Sequence, residues 1–171
     1  MALDQNQEQD FLGKMFMRLD LGNRSNGQFF TPYHVCELMA EVVATDALEK
    51  IEQHGYISIN DPCCGAGATL IAGVHVIRKQ LEHCDPPRNY QNHILVVAQD
   101  VDEIVGLMCY IQISLLGLAG FIKIGNSITD PMSTDDSSEK YWYTPMYFSD
   151  VWSTRRMLRQ INKLFGKGDD E

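Results

Sequence analysis

The residues best suited to chemistry lie in segment 61–67, which has the sequence DPCCGAG and separates a β-branched stretch from a helical pattern. Gly65 and Gly67 lack a Cβ, so they permit backbone conformations closed to other residues and a close approach to a ligand. A glycine loop between strand and helix is typical of nucleotide-like ligands. The next predicted strand ends in Asp100, whose carboxylate is suited to accept hydrogen bonds from two ribose hydroxyls. The alternative is a turn that only packs the helix on the sheet.

An alternation of helices and strands must position these residues. The strands are expected at 56–60, 94–98, 121–124 and 141–148. The helices are expected at 7–20, 31–54, 69–82, 101–118 and 152–165. Thr31 and Pro32 are expected to cap and start the second helix. This order predicts an α/β fold with N-terminal helices and a mostly parallel sheet, whose ligands bind at the carboxyl ends of the strands.

Composition and charge limit the function classes. The chain has 171 residues, 44% of them hydrophobic and 22% charged, which suits one globular domain. No apolar run approaches the roughly 20 residues of a membrane span, and the acidic start is unlike a signal peptide, so we expect a cytoplasmic protein. The net charge is −9, whereas a self-sufficient nucleic-acid binder usually carries a basic surface. The five cysteines and five histidines show no zinc-ligand spacing.

Two segments taken together resemble a known family. GQFFTP at 27–32, followed by DPCCGAG at 61–67, is similar to motifs of the N6-adenine DNA methylases of restriction–modification systems, especially type I modification subunits. The similarity continues through VVAQD at 96–100 and GNSI at 125–128. It implies a Rossmann-like methyltransferase fold, S-adenosylmethionine as cofactor, and adenine N6 in DNA as methyl acceptor. We expect a helical segment at 1–26, a methyltransferase-like domain at 27–165 and an acidic tail at 166–171.

The resemblance also implies which residues hold the cofactor. Those flanking its methionine end would be Phe30, Thr31 and Pro32. Those lining its amino acid and sugar would be Asp61, Cys63, Gly65 and Gly67. Asp100 would hold the ribose hydroxyls, and Val101 would pack on the adenine face. Asn126 stands where the family usually has an acid, and its amide oxygen can accept a hydrogen bond from the adenine amino group.

The catalytic motif of the family is absent from this sequence. In the family, (N/D/S)-P-P-(Y/F/W) holds the amine and stacks on the flipped base. The nearest match here is TPMY at 144–147, which makes Thr144, Pro145 and Tyr147 the candidate catalytic residues. Their alternative role is as core or partner-facing residues. The family's fold has seven strands and about four are predicted here, so the resemblance implies a truncated member.

Three functions remain open. The first is an adenine methyltransferase acting on DNA. The second is a catalytically inactive accessory or regulatory subunit that keeps the cofactor pocket. The third is a dinucleotide-binding oxidoreductase, which the Asp61-Pro62 pair and the missing third glycine disfavour.

The aromatic and basic residues of the C-terminal part bear on the partners of the chain. Its aromatic residues predict a large exposed apolar surface, which favours a homodimer or a second subunit. They are Tyr141, Trp142, Tyr143, Tyr147, Phe148 and Trp152. Arg155, Arg156 and Arg159 form the most basic stretch and serve either as a DNA contact or as a solvated helix face.

Overall fold

A computed structural model of the chain describes residues 9–19 and 31–164. Within those residues the helices are α1 (Phe11–Arg18), α2 (Tyr33–Val43), α3 (Ala47–His54), α4 (Ala68–Glu82), α5 (Glu103–Leu115) and α6 (Asp150–Leu164). The strands are β1 (Ile57–Asp61), β2 (Ile94–Asp100), β3 (Ala119–Ile124) and β4 (Tyr141–Tyr143). The predicted domain boundary between residues 26 and 27 and the acidic tail at 166–171 lie outside the described residues.

The four strands form one sheet in the order β1-β2-β3-β4. β1 pairs in parallel with β2, with Asp61 opposite Ala98, and β2 pairs in parallel with β3, with Asp100 opposite Ile124. β4 is antiparallel to β3, with Phe121 opposite Tyr143. The prediction of an α/β fold with a mostly parallel sheet is confirmed. Because β1, β2 and β3 run the same way, their carboxyl ends lie at one edge of the sheet.

The core lies between the middle strands and the helices that cover them. Ile94, Val96 and Ala98 of β2 are fully buried, as the continuous apolar run in the sequence indicates. On α4, Ile71 and Ile77 are buried in the same cluster. Burying side chains of this size contributes about 1.5–3 kcal/mol each. This packing holds α4, and therefore the loop before it, at a fixed position on the sheet.

The single helix predicted at 31–54 is wrong, because the structure divides it into α2 and α3. The break is at the buried Ala44, whose carbonyl accepts a hydrogen bond from Gln80 Nε2 on α4 at 3.1 Å. The predicted start is also shifted. Pro32 occupies the N-cap position with an extended ψ of 135°, and no side chain caps the helix. Thr31 therefore lies before the helix.

The fourth strand is shorter than predicted. Only Tyr141–Tyr143 pairs with β3, and Pro145–Phe148 forms a 3₁₀ turn. Proline has no N–H to donate to a strand ladder, so the pairing ends before Pro145. None of the helices within residues 9–19 and 31–164 combines the length and apolar character that a membrane crossing requires.

Candidate functional site

The loop after β1 is held by the side chain of Asp61. One carboxylate oxygen accepts the Cys63 N–H at 3.0 Å, and the other accepts the Thr69 hydroxyl at 2.7 Å. Asp61 thus ties the start of the loop to the first turn of α4. The Cys64 N–H donates to the carbonyl of Gln99 on β2 at 3.0 Å, which ties the loop to the neighbouring strand as well.

Both glycines of the loop have backbone conformations that favour glycine. Gly65 has a φ of 55° and Gly67 a φ of 97°, both in the left-handed region. At Gly67 a second constraint applies, because a Cβ would lie 2.9 Å from the Cys109 sulfur on α5. The main chain therefore turns sharply here and packs closely against α5.

Asp100 lies at the carboxyl end of β2 and contacts the glycine loop directly. Its Oδ2 accepts the Gly65 N–H at 2.8 Å, and its Oδ1 accepts the Asp102 N–H at 2.9 Å. An ionised carboxylate has about four acceptor positions, so capacity remains on both oxygens. The structure thus brings together the two features that the sequence singled out, with the half-buried acid joined to the loop.

A cavity of about 170 Å³ adjoins Asp100 and is lined in part by Cys63, Val101, Asn126 and Ile128. Val101 is 71% exposed and Ile128 is 88% exposed, so two apolar side chains at this cavity face solvent. Exposed apolar side chains beside a hydrogen-bonding carboxylate suit a ligand with a flat apolar ring and a polar sugar.

Asn126 is exposed, and its side chain closes a local turn. Its Oδ1 accepts the Ile128 N–H at 2.9 Å and the Thr129 N–H at 3.2 Å. Because an amide oxygen has two lone pairs, both are used by the backbone. The expectation that this oxygen accepts a hydrogen bond from an adenine amino group therefore does not fit the structure. The amide NH₂ of Asn126 remains as a donor.

Two buried side chains, Gln99 on β2 and Lys123 on β3, hold the segment that carries Asn126. Gln99 donates to the carbonyls of Gly125 at 3.2 Å and Asp130 at 2.9 Å. Lys123 is buried and donates to the carboxylates of Asp130 at 2.9 Å and Asp136 at 2.8 Å. Burial alone would lower the pKa of Lys123, but these two carboxylates outweigh burial and raise it. These bonds tie the loop beyond β3 to β2 and β3.

A second cavity, of about 520 Å³, lies between α1 and the start of α2. Thr31 and Pro32 line it, together with the charged residues Lys14, Arg18 and Glu37. Two of the three residues expected at a methionine end thus share this cavity. Phe30, the third, lies outside the described residues.

Gln112 joins the glycine loop to α1, and the sequence analysis did not identify it. It lies on α5 and is only 2% exposed. Its Nε2 donates to the carbonyl of Ala66 at 2.7 Å and to Asp10 Oδ1 at 2.8 Å, while its Oε1 accepts the Leu12 N–H at 3.0 Å. The available signal was an uncharged polar residue in a largely apolar helix, which a sequence alone does not assign to a partner.

The loop cysteines differ in accessibility. Cys63 is exposed and lies 3.8 Å, sulfur to oxygen, from the Ser127 hydroxyl across the smaller cavity. Cys64 is buried, and its hydrogen bond with Cys109 together with burial raises the pKa of its thiol. Among the described residues, no group of three or more His, Cys, Asp or Glu is arranged to hold a metal ion.

The candidate catalytic residues lie at the other end of the sheet. Thr144 is fully buried, and its hydroxyl donates to the Leu118 carbonyl at 2.7 Å and accepts the Gly120 N–H at 2.9 Å. Leu118 and Gly120 mark the amino end of β3, whereas the glycine loop and Asp100 lie at the carboxyl ends. The antiparallel β4 carries the chain away from the cavity, so the structure does not bring Thr144, Pro145 or Tyr147 to it.

The aromatic residues of the C-terminal part form a cluster around Phe121, which is contacted by Tyr141, Tyr143 and Tyr147. The expected exposed surface is smaller than predicted. Trp152 is buried, and its indole N–H donates to the Gln91 carbonyl at 3.0 Å. Trp142 and Phe148 remain well exposed. Association through this region stays a prediction.

Two of the arginines of α6 hold the helix in place. Arg155 donates to the carbonyls of Asn92 and Gly55 and stacks on Trp152, 4.8 Å from the ring centre. Arg156 donates to the Tyr147 carbonyl and lies 4.1 Å from the centre of that ring. Their charged groups are thus engaged within the chain, which favours a structural role over a DNA contact.

Comparisons with known proteins place the chain in one family. No curated protein and no solved structure matches it. The family model described as N-6 DNA Methylase matches residues 10–165, which is nearly the whole chain. That range includes α1, the glycine loop, Asp100 and Gln112. The chain therefore belongs to the N-6 DNA methylase family.

Proposed function

We propose that this chain binds S-adenosylmethionine at the carboxyl ends of β1, β2 and β3, in a Rossmann-like arrangement. The observation that carries the proposal is the hydrogen bond from the Gly65 N–H to Asp100, because it joins the glycine loop to a carboxylate with spare acceptor positions. A ribose diol needs such an acceptor, and the sharp turn at Gly65 and Gly67 leaves room for backbone contact. The Asp100 carboxylate and the glycine turn therefore fit this cofactor.

In this arrangement each part of the cofactor has a suitable environment. Asp100 accepts from the two ribose hydroxyls. Val101 and Ile128 supply apolar surface for the adenine, and the amide NH₂ of Asn126 donates to an adenine ring nitrogen. The methionine end extends toward Thr31 and Pro32, where Lys14 offers a positive charge for the carboxylate.

The reaction we propose is transfer of the cofactor's methyl group to the N6 amine of adenine in DNA, in a restriction–modification type of system. When bound, S-adenosylmethionine supplies an electrophilic methyl group. The residues of this chain bind and orient it: Asp61 and Asp100 hold the loop, and α5 packs against Gly67. Groups that hold the amine must come from elsewhere than residues 144–147, because that turn lies at the opposite end of the sheet.

The position of Thr144 favours a second candidate function. A chain that holds the cofactor without a motif for the amine would act as a cofactor-binding accessory or regulatory subunit. The Thr144 hydroxyl is fully buried and bonded to Leu118 and Gly120, so it is not accessible to an amine. Both candidate functions predict cofactor binding, and only the methyltransferase predicts methyl transfer.

Calorimetry with S-adenosylmethionine and S-adenosylhomocysteine tests the shared part of both candidates. We expect saturable binding of both, and no stabilisation by NAD in a thermal shift. Absence of uptake would contradict the proposal.

Thiol labelling with a maleimide provides a site-specific check. Cys63 is expected to react and to be protected by S-adenosylhomocysteine. The half-buried Cys84 lies away from the loop, so its labelling should not depend on the ligand. Protection of both cysteines, or of neither, would argue against binding at this cavity.

Methyl transfer separates the two candidates. Adenine-containing DNA is incubated with the full chain and cofactor carrying a labelled methyl group. Incorporation that Asp61→Ala abolishes supports the enzyme. Binding without incorporation supports the accessory subunit.

A further inference from the structure

Gln112 is the buried meeting point of three backbone segments. Its side-chain NH₂ donates both to the Ala66 carbonyl, between the two glycines of the loop, and to the Asp10 carboxylate before α1. Its carbonyl oxygen accepts the N–H of Leu12, in the first turn of α1. One side chain therefore fixes the carbonyl of the glycine loop and the start of α1 at once.

The hydrogen bond between Gln112 and Asp10 contributes to the stability of α1. Its side chain is almost fully buried and caps α1 by accepting the Gly13 N–H at 2.8 Å. A buried carboxylate is stable only where donors surround it, and Gln112 supplies one of them. Gly13 packs so closely on the carboxylate that a Cβ there would overlap Asp10 Oδ2. The seating of α1 thus depends on the same side chain that holds Ala66.

We propose that Gln112 is a positioning residue that couples the seating of α1 to the conformation of the glycine loop, and through it to cofactor affinity. This inference rests on the proposed function for its last step. When α1 is seated, both acceptors of the Gln112 amide are in place and Ala66 is held. Thermodynamic linkage makes the effect reciprocal. If packing of α1 against Gln112 raises the affinity of the loop for the cofactor by some factor, bound cofactor favours that packing of α1 by the same factor.

Amide hydrogen exchange on the unmodified full chain tests the reciprocal effect. We expect S-adenosylhomocysteine to slow exchange of the Leu12 amide by about 10-fold, because this amide donates to Gln112 and Leu12 does not line the larger cavity. If the ligand binds and α1 exchange stays the same, the coupling is overturned. This measurement needs no variant, so it is independent of any folding defect.

Two variants of Gln112 separate hydrogen bonding from packing. Gln112→Glu keeps the size of the side chain and replaces the shared donor by an acceptor, while Gln112→Leu removes all three bonds. Both are expected to weaken S-adenosylhomocysteine binding by about 10-fold, equal to about 1.4 kcal/mol, and to abolish the ligand's effect on α1 exchange. Full affinity in Gln112→Glu would overturn the proposal.

Gln80→Leu is the matched control. Gln80 also donates from a helix to a backbone carbonyl, that of Ala44, and lies away from the loop. Its substitution should leave both affinity and α1 exchange unchanged. A loss of affinity in Gln80→Leu equal to that in the Gln112 variants would assign the effect to general destabilisation and overturn the specific role.

The coupling and the proposed function fail in distinguishable ways. If the unmodified chain takes up no S-adenosylhomocysteine, the proposed function fails. The coupling is then judged from the Gly65 and Gly67 amides in the absence of ligand. Faster exchange there in Gln112→Glu, with β2 and β3 unchanged, supports it. Unchanged loop exchange overturns it.

Discussion

The two ends of the sheet use their polar groups in opposite ways. At the carboxyl ends, Asp100 accepts one backbone N–H on each oxygen and remains half-buried beside exposed Val101. At the amino ends, the Thr144 hydroxyl both donates and accepts inside the sheet, and Arg155 donates to the carbonyls that precede β1 and β2. The Asp100 carboxylate thus keeps acceptor capacity next to a cavity, whereas the Thr144 hydroxyl and the Arg155 guanidinium donate to carbonyls of the chain itself.

This difference separates binding from structure within one small sheet. On the proposed function, Asp100 at the carboxyl end contributes to binding of a ligand, because part of its hydrogen-bonding capacity is unused. A polar residue at the amino end contributes to stability, because it is desolvated and its partners depend on it. Substitutions of Asp100 and of Thr144 should therefore change different measured quantities.

Asp100→Ala is expected to have the largest effect, and on affinity. Removing the carboxylate deletes the acceptor that we propose for both ribose hydroxyls, and it leaves the Gly65 N–H without this partner. Charge-assisted hydrogen bonds contribute about 1.5–3 kcal/mol, so we expect calorimetry to record a loss of about 100-fold in affinity for S-adenosylhomocysteine. Asp102→Asn is the control, since Asp102 caps α5 by accepting the Val105 N–H. Equal affinity in Asp100→Ala and the unmodified chain would contradict the proposal that the ribose binds at the end of β2.

Thr144→Val should act on stability instead. The substitution keeps the shape of the side chain but leaves the Gly120 N–H and the Leu118 carbonyl without a partner in a buried position. An unsatisfied buried group costs about 1–3 kcal/mol, so we expect chemical denaturation to show a loss of about 2 kcal/mol. Exposed Thr134→Val should change little. A fall in cofactor affinity without a fall in stability would instead support the earlier prediction that Thr144 belongs to the functional site.

Much of the fold follows from local sequence patterns. The apolar run at 94–98 identified the central strand, which the structure extends to Asp100. The antiparallel β4 was not predictable, because its three residues pair with β3 through contacts far apart in the chain. The break between α2 and α3 has one local signal, because Asp46 at the N-cap position of α3 is a residue type that favours a helix start. The other feature of the break, the hydrogen bond from Gln80 to the Ala44 carbonyl, comes from another helix and leaves no trace in the local pattern.

The candidate site divides in the same way. Gly65, Gly67 and Asp100 belong to loops directly after strands, so strand order alone predicts that they meet. The role of Gln112 depends on α1 packing on α5, which no spacing in the sequence reports. TPMY at 144–147 was chosen as the nearest match to the family's catalytic motif, and the antiparallel direction of β4 places it at the opposite end of the sheet from Asp100.

Gly67→Ala tests the close packing at the carboxyl end. A Cβ would meet the Cys109 sulfur at 2.9 Å, and a φ of 97° is unfavourable for alanine. Strain in that region costs on the order of 1 kcal/mol, so we expect a loss of about 1 kcal/mol in stability. Gly73→Ala is the matched control, because a Cβ there meets nothing closer than 3.8 Å and alanine favours the helix. If thermal unfolding ranked the two variants equally, the packing argument would be wrong.

The smallest expected effect is a pH dependence at the loop beyond β3. Hydrogen bonds from Lys123, Lys140 and Tyr141 hold the pKa of Asp136 well below its usual range. A carboxyl whose pKa is lowered by folding adds stability above its unfolded pKa, and that stability is lost as pH falls through the folded value.

Asp136→Asn should therefore lower the melting temperature at pH 7 by less than Thr144→Val does, because Lys123 keeps the Asp130 carboxylate and the Pro131 carbonyl as acceptors. The difference from the unmodified chain should narrow as pH falls below the usual range of an aspartate, about 3.9. Asp135→Asn, next to it and exposed, controls for the loss of one negative charge. A difference that stays constant down to pH 2 would mean that Asp136 stabilises the loop by packing, and that the anchoring of Asn126 owes little to its charge.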